Sequence, residues 1–390
     1  MFRKRAIFTA LLLLAAIVPA FAQPYRVVDL GVVPGQTSSV PSDINNALQV
    51  VGLSGDQAFI WDPANALRPL GVTMGRAPQL NNAGVIAGVR TDRGGFELVA
   101  LFNGVEYALP SPPGDTLTQV TELTDNNILL LRGTRTWAFA SGQYFDLTTA
   151  FGGDAFAINE QGMVGGANAG GAYLRLSDGR VIQPWPTSFP VQLISAAGHF
   201  TGIGFYGFPD GAVIETPFRV IPATTNHFLY GINRAGDVVG SSFARFFESP
   251  FLYRAQRAIN LGAMATGCDC NLISARAIND LGYIAAVAQF ADLTRRAVVL
   301  VPIAPATPAG FSFALSNRTV TLTWQASAGA LEYIVEAGRA PGSSELFNGS
   351  VGDTTSVTVT VPPGRYFVRL RAQNATGASA PTADLIIDVP

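Results

Sequence analysis

Ile232-Asn233-Arg234-Ala235-Gly236-Asp237-Val238-Val239-Gly240 reads as two short strands joined by a tight turn. Ile232 ends one strand and Val238-Val239 begin the next. Asn233 and Gly236 stand where a hairpin needs a turn-starting side chain and a positive φ. The same grammar returns at Ile44, Leu80, Leu123, Ile158, Ile194 and Ile278, so the seven anchors are spaced 36, 43, 35, 36, 38 and 46 residues apart. A period near forty made of short strands predicts an all-β toroid, a seven-bladed β-propeller with one four-stranded blade per repeat.

The residue after each anchor is Asn45, Asn81, Thr124, Asn159, Ser195, Asn233 or Asn279, all able to bond their own backbone and start a turn. Four after the anchor come Leu48, Gly84, Asn127, Gly162, Gly198, Gly236 and Gly282, where Gly or Asn supplies positive φ and Leu48 is expected to be strained or to use another turn. Eight after the anchor, Gly52, Gly88, Leu131, Gly166, Gly202, Gly240 and Ala286 suggest a strand crowded near the axis of a ring. Third strands are expected at Ala58–Trp61, Val99–Phe102, Trp137–Phe139, Tyr173-Leu174, Pro217–Val220, Phe251–Tyr253 and Val298–Leu300. Most repeats add a fourth, as at Leu67–Gly71 and Ala258–Gly262. The seventh repeat stops near Pro302 without a fourth strand, and Arg26–Gly31 is an orphan ahead of the first anchor. That strand is expected to complete the last blade and remove both exposed edges.

The chain begins with a secretory signal pattern over residues 1–22: Arg3-Lys4-Arg5, an apolar run from Ile7 to Val18, and the small-residue site Ala20-Phe21-Ala22. Cleavage after Ala22 would start the mature chain at Gln23, secreted or periplasmic, with no membrane insertion and no lipoprotein cysteine. Of 25 Lys+Arg, three lie in this signal, leaving 22 against 27 Asp+Glu, a formal balance of −5. With no basic stripe, nucleic-acid binding is not expected. Cys268 and Cys270, in Gly267-Cys268-Asp269-Cys270-Asn271, read in an oxidising compartment as a small surface disulfide loop. A redox pair or half of a metal site are the sharper alternatives.

The propeller is expected over residues 23–303, followed by a linker at 304–307 containing Pro305-Ala306-Thr307 and a second domain over 308–390. Alternating strands at Thr319–Trp324, Tyr333–Glu336, Ser356–Val361 and Tyr366–Arg371 predict a small β-sandwich there. With its Pro-rich start, Trp324, Tyr333, Tyr366 and Asn374-Ala375-Thr376-Gly377-Ala378-Ser379, this segment resembles a fibronectin type III domain. It carries no Arg-Gly-Asp tripeptide. In the first repeat, Asp29-Leu30-Gly31, Ser42-Asp43-Ile44-Asn45-Asn46, Val50-Val51-Gly52 and Gln57-Ala58-Phe59-Ile60-Trp61-Asp62-Pro63 resemble one unit of the bacterial extracellular HAF-repeat proteins, with Gln57 in place of the family's His. The resemblance implies secretion and a repeat architecture, and brings no catalytic residues.

Chemistry is sparse. His199 and His227 are the two histidines, and neither lies near a nucleophile elbow or a metal-ligand spacing. Asp154, Glu160, Asp210, Glu215, Asp237 and Asp280 lie in or near turns, where acids ordinarily form turns. No cofactor or metal site is indicated. Phe205-Tyr206-Gly207-Phe208 is a Gly-broken aromatic segment, and Phe243, Phe246 and Phe247 enrich the sixth repeat. Exposed, Phe205, Tyr206, Phe208 and Trp185 would stack on sugars or a protein partner; otherwise they pack between blades. The leading expectation is an exported non-catalytic binding or scaffold protein with an unknown carbohydrate or protein ligand. A polysaccharide-active hydrolase or lyase is the alternative, and a surface adhesin or assembly component the third.

Overall fold

The structure, a computed structural model, describes residues 25–183, 189–209, 213–215, 225–244, 247–254, 257–327, 329–374 and 377–390. The signal segment and Trp185 lie outside these. The protein is all-β, and its contacts separate one unit spanning Pro24–Ile303 from another spanning Ala304–Pro390.

In the first unit the described strands form seven sheets that follow the repeats in chain order. The first joins Val40–Ile44, Val50–Ser54, Gln57–Asp62 and Ala66–Thr73 as an antiparallel meander. The seventh joins Cys270–Ile278, Ile284–Phe290 and Arg295–Pro302, and then takes Tyr25–Gly31 from the start of the chain. That strand pairs antiparallel with Arg295–Pro302 from Tyr25 opposite Pro302 to Val28 opposite Val299.

Both faces of these sheets are covered by neighbouring sheets, which is why the strands read as apolar runs rather than as clean alternation. Val50 packs with Ala277, Ala285 and Val299 of the seventh sheet, whereas Val51 packs with Leu80, Ile86 and Val99 of the second. Val238 and Val239 divide in the same way between the fifth-sheet and seventh-sheet sides. Each pair of successive sheets encloses its own apolar cluster, and the cluster joining the seventh sheet to the first completes the series.

The turns explain the Asn. In the first repeat Asn45 Oδ1 accepts from the N–H groups of Ala47 (3.1 Å) and Gln49 (2.9 Å), closing its own loop. Its Nδ2 donates to the carbonyl of Asn81 in the next sheet, 3.1 Å away. Asn81, Asn159, Asn233 and Asn279 likewise donate to the carbonyls of Thr124, Ser195, Asn279 and Asn45. A hydroxyl closes its own turn but makes no tether. Thr124 and Ser195 accept from Ile128 and His199 and send no side-chain bond to the next anchor turn. Leu48 holds the positive φ that its position demands, at 60°, as does Asn127 at 64°.

One expectation needs correction. The third strand of the fifth sheet is Phe205–Gly207, paired with Phe200–Gly202, rather than Pro217–Val220, which lies outside the described residues. The short Ile203-Gly204 connection makes an immediate hairpin, so the Gly-broken aromatic segment is core strand rather than loop. Most glycines eight after the anchors lie close against the backbone of a neighbouring strand, and a ring on the opposing strand crowds several of them as well. Gly52 lies opposite Phe59 and Gly240 opposite Phe251, and a Cβ on either would come within 2.8 Å of that ring.

The second unit is a sandwich of two sheets. One contains Ser312–Ser316, Thr319–Thr323 and Ser356–Thr360; the other contains Phe347–Ser350, Glu332–Gly338 and Gly364–Asn374, to which Gly377–Ala378 and Leu385–Val389 add. Trp324, Tyr333, Leu370 and Ile387 occupy its core. Tyr366 Oη donates to the carbonyl of Pro362 at 2.8 Å, a tyrosine-corner contact.

Candidate functional site

All seven anchor turns meet around one polar depression, a space of about 120 Å³. A β-bulge lies just before five of the anchors, between Pro41 and Asp43, Val120 and Glu122, Ala155 and Ala157, Leu229 and Gly231, and Ala275 and Ala277. Bulges re-aim the side chains beside them. Asp43 and Glu122, each immediately before its anchor, both line the depression.

Two residues past the anchors stand Asn46, Asn82, Asp125, Glu160, Ala196, Arg234 and Asp280, which line the same space. They form a second set of links between sheets. The Asn46 N–H donates to Asn82 Oδ1 (2.7 Å), Asn82 to Asp125 Oδ1 (2.8 Å), Asp125 to Glu160 Oε1 (3.3 Å), Arg234 to Asp280 Oδ1 (2.8 Å), and Asp280 to Asn46 Oδ1 (3.0 Å). Ala196 has no polar side chain to offer, so the series is interrupted there.

Asp43 ties the first sheet to the second: Oδ1 accepts from Ile44 N–H at 2.8 Å and Oδ2 from Leu80 N–H at 2.9 Å. It keeps some accessible surface but is largely enclosed by protein. That loss of solvent outweighs the two bonds and, helped by the charge of Asp125, pushes its carboxyl up to about 7. Burial also raises Glu122, to about 8, with the charges of Asp43 and Glu160 adding to the effect. Among the described residues Glu122 receives no hydrogen bond, and the buried Glu160 Oε2 has no partner. The depression therefore contains proton-holding acids and one unpartnered acceptor, with the Arg234 guanidinium drawn to Asp280 at 3.7 Å. No group of three His, Cys, Asp or Glu among the described residues is arranged to hold a metal ion.

The other candidates lie elsewhere. Phe205 is fully buried between the fourth and fifth sheets, and Tyr206 is buried between the fifth and sixth; Phe208 is half-buried beside it. Tyr206 Oη shares a hydrogen bond with His199 Nδ1 at 2.9 Å and packs on Phe208 and Tyr253. These rings serve packing between sheets, since flat rings fill the wedge that two twisted sheets leave. Burial holds the His199 imidazole below its usual range, against the charge of Asp237. His227 faces the Phe251 ring. Asp237 is committed to a buried ion pair with Arg254 at 2.7 Å, and Asp154 to Arg132 at 3.5 Å. Asp210 lies outside the described residues. Cys268 and Cys270 are joined by a disulfide, with Cα atoms 5.3 Å apart.

Of the acids singled out in the sequence, the fold thus gathers Glu160 and Asp280. It adds Asp43, Glu122 and Asp125, which the sequence reading passes over. Their signal is positional: tabulating the residues just before and two after each anchor exposes them.

No family model matches the chain, and no curated protein matches it. Among solved structures it is similar to the extracellular domain of BT3049 from B. thetaiotaomicron, at 13% identity over 90% of this chain and 56% of that one, with a TM-score of 0.44. It is also similar to the extracellular domain of BT4673 from the same organism, at 10% identity over 94% of this chain and 54% of that one, with a TM-score of 0.47. The chain thus spans little more than half the length of these two structures. A third similarity is to FN3tt mut, at 25% identity over 20% of this chain and 91% of that one, with a TM-score of 0.18.

Proposed function

We propose that this chain is an exported, non-catalytic binding protein: a seven-bladed propeller of HAF-like repeats, closed by its N-terminal strand, followed by a fibronectin type III-like spacer. Residues 1–22 would direct export and be removed after Ala22. The ligand meets the face on which the anchor turns converge. The observation that carries this reading is that residues from all seven repeats line one polar space, where Glu160 Oε2 has no hydrogen-bond partner. Such a space suits a ligand presenting hydrogen-bond donors, carbohydrate hydroxyls above all, with a protein ammonium group as the protein-ligand equivalent.

One observation favours the hydrolytic alternative. Asp43 and Glu122 are two acids, held protonated to different degrees, lining one space, the arrangement from which an acid and a base can be drawn. Against it, the Asp43 carboxyl already accepts the N–H groups of Ile44 and Leu80, which commits it to joining the first sheet to the second.

The test is a glycan array and a hydrolysis screen run on one carbohydrate panel, with residues 23–390 and their Glu122→Gln and Asp43→Asn variants. Binding without turnover, weakened in either variant, supports the binding reading. Turnover that is lost in both variants overthrows it in favour of the enzyme. Silence in both screens removes carbohydrate and leaves a protein ligand.

A further inference from the structure

The sandwich unit holds an apolar gap of about 540 Å³ between its two sheets. Its origin lies in strand alternation. In Ser356–Thr360, Val357 and Val359 lie opposite Leu322 and Val320, so all four share the inner face. The intervening threonines lie on the outer face, where Thr358 bonds Thr321 at 3.0 Å. Yet Val359 is 45% exposed while its cross-strand partner Val320 is 4% exposed. On the facing sheet, Phe347 lies opposite Ala337, on the inner face of Val335, and is 47% exposed. Two inner-face edges therefore diverge, and no described residue of the unit covers them. Gaps of this size are in the usual range for small-molecule sites, whose lining is mainly apolar with a few placed polar groups.

The placed group here is Arg339. It lines the gap, its guanidinium lies 5.6 Å from the centre of the Tyr366 ring, and among the described residues it makes no ion pair. The nearby Glu345 carboxylate is occupied by the Arg339 backbone N–H at 2.7 Å. The Arg339 charge also acts on Glu345, yet it closes no ion pair there, and an open aliphatic cleft with such a guanidinium at its lining complements a molecule with a long apolar tail and an anionic head.

We propose that the gap of the C-terminal sandwich binds a single-chain anionic amphiphile, a long-chain carboxylate, with its tail between Val357, Val359 and Phe347 and its head on Arg339. This site is independent of the depression in the first unit.

The test uses residues 23–390 and a fluorescent long-chain fatty acid below its micelle concentration, displaced by dodecanoate, dodecanol or dodecyltrimethylammonium. The expected result is saturable binding, with dodecanoate displacing at least tenfold better than the other two. Arg339→Gln should erase that preference, and Val359→Trp, which fills the gap from an exposed edge, should reduce binding at least tenfold while thermal unfolding stays cooperative. Absence of saturable binding overturns the proposal. Equal displacement by all three compounds, or a head-group preference unchanged in Arg339→Gln, overturns the assigned contacts even if Val359→Trp fails to fold. A concentration-dependent dimer in sedimentation that excludes the probe assigns the gap to a second copy of the chain and overturns it as well.

Discussion

Replacing Asn279 separates the two roles of the anchor asparagines. Its Oδ1 accepts from the N–H groups of Leu281 (3.1 Å) and Tyr283 (2.9 Å), while Nδ2 reaches the Asn45 carbonyl at 2.9 Å, joining the seventh sheet to the first. Asn279→Ser keeps an acceptor for the Tyr283 N–H, as Ser195 does for His199, and removes the tether and the Leu281 bond. The Asn45 carbonyl still receives the Leu48 N–H at 3.1 Å and the exposed Leu281 N–H can turn to water, so the loss should be about 1–2 kcal/mol. Asn279→Ala removes three bonds and leaves the Leu281 and Tyr283 N–H groups of a part-buried turn without their acceptor, so up to about 3 kcal/mol is expected on the same scale. The converse change, Ser195→Asn, supplies a missing tether toward the sixth sheet and should stabilise by up to about 1 kcal/mol. Calorimetry of residues 23–390 checks all three, because the transition of the sandwich unit should stay fixed while that of the repeat unit moves. If Asn279→Ser costs as much as Asn279→Ala, or if neither moves the transition, the division of labour between Oδ1 and Nδ2 is wrong.

Three further outcomes follow from the same structure. Asp43 and Glu122 have carboxyls raised above their unfolded values, to about 7 and about 8, so the folded state binds more protons than the unfolded chain between roughly pH 4 and 8. The stability they contribute is present below the unfolded carboxylate pKa and is lost as pH rises through the folded values. The melting temperature of the repeat unit should therefore fall from pH 5 to pH 8, and Asp43→Asn with Glu122→Gln should flatten that slope; an unchanged slope refutes the assignment. Asp237→Asn should destabilise by about 3–5 kcal/mol in denaturant titration, since it removes the carboxylate that faces the buried Arg254 guanidinium, and the double change with Arg254→Met should recover most of that loss. Phe205→Ala should cost about 3–5 kcal/mol by emptying core between the fourth and fifth sheets, and should leave the affinity of any captured ligand unchanged in titration calorimetry. A large affinity loss in a variant that remains folded would restore Phe205 as a contact residue.

Local rules made much of the architecture legible. Anchor spacing gave the number of sheets because each turn is decided by a few adjacent residues: a short polar side chain, a positive φ, two apolar strands. The orphan strand at Arg26–Gly31 announced its pairing with the seventh repeat because a sheet edge wants a partner whatever its place in the chain. Even Leu48 could be singled out as the strained turn, since its position demanded positive φ before its conformation was seen. Where the third strand departs from expectation, at Phe205–Gly207, the two strands of its hairpin are only three residues long.

The candidate site required tertiary structure. A bulge shifts side-chain direction by one position without a sequence signature of its own, so nothing local marks Asp43 and Glu122 as facing the same space. Their raised carboxyls depend on enclosure by the turns and on neighbouring charges, Asp125 for Asp43 and both Asp43 and Glu160 for Glu122, terms that exist only once residues nearly eighty positions apart in the chain are brought together. The same holds for the uncovered valines of the sandwich: alternation says that Val357 and Val359 face inward, and only the spacing of two sheets decides whether anything meets them there. Sequence determined the turns, the strands and their order, because those are short-range choices. Packing decided which of their side chains remain open to a ligand, because that depends on distances between sheets.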